Sequence, residues 1–110
     1  MDIAYVLTRT HPGAKWILNG DTYAGLEWLD DGAPPTESEI AEKWKSLKHE
    51  YALIPIRRER DALLMGCDWT QVADAPVDTK AWAAYRQQLR DLPATIEDAA
   101  QPVEWPTPPA

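Results

Sequence analysis

The chain has no phenylalanine and, among its 110 residues, only one cysteine, two methionines and two histidines. Each scarcity excludes something. A single cysteine, Cys67, permits no internal disulfide, which is the usage of a reducing compartment and leaves the core to hold itself together. Nothing beside Cys67 would activate a thiolate, since its neighbour is Asp68, so it is not read as a nucleophile. His11 sits in the turn "THPG" and His49 rides a helix. A metal or acid–base site needs a third ligand or partner, and neither an H-x-x-x-H pattern nor a Cys pair supplies one. Asp30-Asp31-Gly32 lacks the alternating ligands of a calcium loop, and there is no glycine-rich phosphate loop or G-x-S-x-G elbow. The sequence predicts no metal, no cofactor and no enzymatic activity.

Positive charge is also scarce. Eleven bases against eighteen acids give a formal charge of −7. A chain of that sign lacks the field that gathers phosphates, so neither nucleic acid nor an acidic membrane surface is an expected partner. No apolar run approaches the about 18 residues of a spanning helix. The start, "MDIAYVLTRTHPGAKW", has no basic segment followed by a long apolar one and does not read as a signal peptide. A soluble protein is expected.

What the chain does have is six tryptophans and four tyrosines. These pair a large apolar body with a polar handle and suit half-buried and interface positions. Residues 1–35 read as an antiparallel β-meander of three strands. "IAYVLT" (3–8) is rich in β-branched and aromatic residues, "HPG" turns the chain, and Asn19-Gly20-Asp21 closes a hairpin. Trp16 and Leu18 lie on one face of one arm, with Leu26 and Trp28 on one face of the other. Such an aromatic face needs a cover or a second copy of the chain, because two or three bare strands are marginal.

Residues 36–93 read as helical. Thr36 with Glu39 three residues on forms a capping box, and Ile40, Trp44, Leu47 and Tyr51 make one stripe. Pro55 either kinks this long helix or starts a second one. Gly66 is placed as a C′ glycine. "CDWTQVADAPVD" is a linker anchored by Trp69. Asp78 or Thr79 caps a last helix, which carries Trp82, Tyr85, Leu89 and Leu92 on one face, with Arg86 and Arg90 beside it, and Pro93 ends it. Residues 94–110 form a proline-rich tail, extended or polyproline-like. The fold class is therefore α+β. Trp69, Trp82 and Tyr85 are either interface anchors or helix-packing residues. Arg57, Arg58 and Arg60 either dock on an acidic partner or form a solvated face with Glu59 and Asp61. Trp105, in a tail with no core of its own, must seat on this chain or on another.

One long stretch resembles a known family. "RRERDALLMGCDWTQVADAPVDTKAWAAYRQQLRDLP", followed by "PVEWPTPPA", is similar to the phage tail assembly chaperone family. The pattern runs through Arg57, Arg60-Asp61, Leu63-Leu64, Asp68-Trp69-Thr70-Gln71, Asp74-Ala75-Pro76, Trp82 to Arg86, Leu89-Arg90-Asp91 and Trp105-Pro106. Cys67 and Val72 look like local variants. "GDTYAGLEWLDDGAPPTESEI" is more loosely similar to the leading modules of other small phage tail proteins. The resemblance implies a phage or prophage protein, without cofactor or catalysis, that helps a tail or tail-fibre component fold or assemble in the host bacterial cytoplasm; the expected partner is a tail-fibre or baseplate protein. A permanent place in the virion tail, as adaptor or cap, is the alternative, and a regulatory module is a third class. The expected partner-binding residues are Trp69, Trp82, Tyr85, Arg86, Trp105 and Pro106, with a homo-oligomer also open.

Overall fold

The first element is a helix, α1 (Ile3–Thr10), where the sequence reading had a strand. In the computed structural model, which describes residues 1–110, Asp2 caps it by accepting the Tyr5 N–H at 3.0 Å. Ile3, Val6 and Leu7 are buried, an i, i+3, i+4 stripe. The β-branched content of the segment suggested extension, and the cap with this stripe overrode it. The meander of three strands is thus a hairpin of two.

Two compact units divide the chain, Met1–Lys48 and His49–Ala110, and the helix that links them contributes to both. In the first, β1 (Trp16–Leu18) pairs antiparallel with β2 (Leu26–Trp28), Ile17 opposite Glu27. The loop between them includes a short 3-10 turn, Tyr23–Gly25. Gly20 takes a φ of 84°, open to glycine at little cost, and any side chain at Gly25 would strike the Asn19 carbonyl. As the spacing predicts, Trp16, Leu18, Leu26 and Trp28 share the inward face. They pack on a core of Ile3, Val6, Leu7 and Ile40, joined by Trp44 and Leu47.

Helix α2 (Glu37–Gly66) starts where the capping signal puts it, with the Thr36 hydroxyl accepting the Glu39 N–H at 3.1 Å. It continues through Pro55 as one element, so no second helix begins there. Proline costs the helix one hydrogen bond at that point, which the turns on either side outweigh. Gly66 is the last helical residue rather than a C′ residue, and its φ is not positive. A tighter bond from Cys67 N–H to the Leu64 carbonyl closes the helix instead. The following segment is not bare linker. A 3-10 turn occupies Asp68–Gln71, and α3 (Thr79–Thr95) is capped by Asp78, which accepts the N–H groups of Lys80 and Ala81. Pro93 lies inside α3, which runs two residues past it. The tail beyond carries no helix or strand.

Candidate functional site

The second unit is built around Arg86. Its position on α3, one residue after Tyr85 and three before Leu89, brings a long cationic side chain against the core rather than out to water. Only 9% of the residue is exposed. One terminal nitrogen donates to the Leu64 carbonyl at 2.8 Å and to Cys67 Sγ at 3.1 Å, and the other to Asp68 Oδ1 at 2.7 Å. The guanidinium thus gathers the end of α2, the Cys67 corner and the 3-10 turn onto α3. Burial by itself lowers its pKa. The hydrogen bonds to Asp68 and Cys67, with the negative charge near them, more than offset this, so the pKa lies above the ordinary arginine value.

Two further contacts fix the turn. Thr70 is fully buried, and its hydroxyl donates to the Cys67 carbonyl at 2.6 Å. Gln71 Nε2 donates to the Thr79 carbonyl at the start of α3. The anchor of this segment is therefore Thr70 with Cys67, and Trp69, expected in that role, stands half exposed at 50%. A small polar residue can satisfy its hydroxyl on the carbonyl three residues back and be buried in the corner.

Trp69 leads a short series of rings. Its centroid lies 6.4 Å from Trp82, and Trp82 stands edge-on to Tyr85 at 5.6 Å. Tyr85 is buried with Cys67 and Leu89, and Trp82, Leu63, Leu64 and Trp105 pack around them. Burial is the main cause that raises the Tyr85 pKa, with Cys67 adding to it. Near Trp69 in the chain, Met65 and Val72 are also exposed, so three large apolar side chains between residues 65 and 72 face water.

The six residues expected at a binding surface are thus divided by depth. Trp69 lies outside, Trp82 is half-buried beneath it, and Tyr85 and Arg86 lie inside. Trp105 seats on its own chain, which resolves the choice of seats the sequence left open. Pro106 borders a shallow groove with Gln88, Leu92 and Thr95 of α3. Arg60 pairs with Asp61 at 2.8 Å, within the solvated face that was one reading of the Arg57–Asp61 run. The inward turn of Arg86 was missed from the sequence, although its place at the margin of the Tyr85–Leu89 stripe was the available signal. These contacts organise a surface of aromatic and apolar groups.

A family model described as phage tail assembly chaperone protein matches residues 53–110, more than half of the chain. The chain belongs to the phage tail assembly chaperone family. Neither the curated proteins nor the solved structures compared with it gave a match. The matched span takes in the later part of α2, the Cys67 corner, the ring series, α3 and the tail, so the family region coincides with the unit that Arg86 organises. Membership assigns the protein to bacteriophage tail assembly, in a family whose name describes a chaperone. No helix is long and apolar enough to cross a membrane.

Proposed function

We propose that this chaperone binds a tail-fibre or baseplate protein through the exposed surface around Trp69 and keeps that client soluble until it assembles. One observation carries the reading: a tryptophan held half exposed, tilted against Trp82, over a corner that Arg86 and Thr70 hold together. Leaving a large indole in water is unfavourable, and rigid aromatic anchors set in well-packed surroundings dominate binding energetics. Trp82, Tyr85 and Arg86 hold the anchor from below, and Met65 and Val72 extend its apolar reach. Tail-fibre proteins present strand edges and apolar surface before they associate, and a chaperone of net charge −7 that masks such surface also adds repulsion between intermediates. The seat of Trp105 on its own chain removes the main argument for a permanent virion mount, which was a tail ordered by another protein. Pro106, beside the α3 groove, is kept in this reading as a further client contact.

Trp69→Ala tests the assignment. Its expected effect is a loss of client capture by more than tenfold when the protein is co-expressed with the tail-fibre protein, with the fold retained and Tm lowered only slightly because half of the indole is in water. Retained capture by the folded variant would remove Trp69 from the site. Mass spectrometry of purified virions tests the chaperone role itself: the protein is expected in infected lysate and absent from virions, and a fixed ratio to the fibre protein would make it a component.

A further inference from the structure

We propose that the outer edge of β1 is a second docking site, at which an extended strand of the client adds to the hairpin as its third strand. This rests on the reading of the chain as a client-binding chaperone, but it concerns the first unit and uses none of the Trp69 surface. The register of the hairpin decides which main-chain groups are free. Leu29 N–H bonds to the Lys15 carbonyl and Asn19 N–H to the Gly25 carbonyl, both at 2.9 Å. With Trp16 opposite Trp28 and Leu18 opposite Leu26, hydrogen-bonded pairs fall at Lys15, Ile17 and Asn19. The intervening Trp16 and Leu18 turn their N–H and C=O groups away from β2. No other part of the chain bonds to these four groups. The β2 edge is less open, because Leu26 N–H is already given to the Tyr23 carbonyl.

Three features choose a client strand as the occupant. Donors and acceptors repeating at every second residue along one line match the main chain of a strand and no other common element. The hairpin is also narrow for what it supports. Two strands span about 10 Å, the width of one helix, whereas α1 and α2 both pack on the same core. Charge sets the third condition: residues 1–35 carry five acids and two bases, which favours a neutral or basic strand over an acidic one. The added strand places alternate side chains beside Trp16 and Leu18 on the core face and beside exposed Ile17 on the other.

The test is rapid amide exchange by NMR on the full-length protein. The probe is a peptide of roughly ten residues, alternating valine and threonine with a lysine at each end. At ten times its dissociation constant the peptide should slow exchange of the Trp16 and Leu18 amides by about tenfold. The Ile17 amide, already bonded within the hairpin, should not change. A peptide N-methylated at the alternate residues that face β1 should lose the effect. Unchanged Trp16 and Leu18 amides in millimolar peptide, where four hydrogen bonds suffice for detection, would overturn the proposal. So would slowing of the same amides with rising protein concentration in the absence of peptide, since the occupant is then a second copy. Peptide-induced shifts confined to the Trp69 and Trp82 indoles would sink the edge while sparing the Trp69 site. Protection at β1, with client capture retained in Trp69→Ala, does the reverse.

Discussion

Arg86 joins three backbone segments through one side chain, and the strength of its contacts is unequal. The Asp68 side chain is 64% exposed, so that ion pair is screened by water and contributes little by itself. The bond to Cys67 is buried and that to the Leu64 carbonyl partly so; removing the donor takes a charge-assisted bond from each, although the carbonyl keeps the Cys67 N–H. Arg86→Met, which keeps the apolar stem, is expected to cost about 2 kcal/mol in thermal or urea unfolding, and Asp68→Asn a few tenths. Equal effects for the two variants would mean that the ion pair, not the carbonyl bond, fastens the corner. The neighbouring ring adds a pH dependence. Burial raises the Tyr85 pKa above 10, so the folded state holds its phenolic proton longer than the unfolded chain does. The contribution is complete below pH 10 and is lost as pH rises from there through the folded pKa. Stability measured from pH 8 to 11 should therefore fall more steeply in the wild type than in Tyr85→Phe. Parallel curves would show that Tyr85 ionises as freely in the fold as outside it.

At the scale of elements, α1 tests the balance between propensity and capping. Its first turn depends on Asp2, whose carboxylate accepts the Tyr5 N–H. Asp2→Ala should cost about 1 kcal/mol and speed amide exchange in Ile3–Thr10. An unchanged exchange pattern would mean that the Ile3, Val6 and Leu7 contacts alone hold the helix. The same element explains what the sequence revealed and what it hid. Helices α2 and α3 were legible because Thr36 and Asp78 announce their starts and long apolar stripes follow. The hairpin arms were legible because alternating Trp and Leu residues flank turn residues, and both arms face inward as that alternation requires. Helix α1 was hidden because it is only eight residues long, and Ile, Tyr, Val and Thr raise the strand reading over so short a window. Thr70 and Arg86 were hidden for another reason. Their burial depends on carbonyls at the end of α2 that no local pattern of residue types discloses, so the aromatic members of the site were visible in sequence and the polar supports beneath them were not.

Across the whole molecule, the apolar contacts form two clusters with no residue in common. The tail belongs to the second. Asp98 makes a small turn by accepting the Ala100 N–H, but residues 102–110 donate or accept no hydrogen bond with the rest of the chain. Their attachment is apolar, and Trp105 is the member that reaches the Cys67, Tyr85 and Leu89 core. Proline-rich chain has little backbone freedom to lose on docking, which makes one indole sufficient to hold it. Trp105→Ala uncovers part of that core and should destabilise the second unit by about 2 kcal/mol, less than a fully buried tryptophan would. Amide exchange should quicken in Trp82–Leu89 and stay unchanged in Ile3–Leu7, because the first cluster receives nothing from the tail. If exchange is unchanged in both units while client capture is lost, the indole is a client contact that merely rests on α3. If exchange quickens in Trp82–Leu89 while capture by the remaining folded protein is retained, the tail is a structural strap, and the exposed Trp69 surface carries the client by itself.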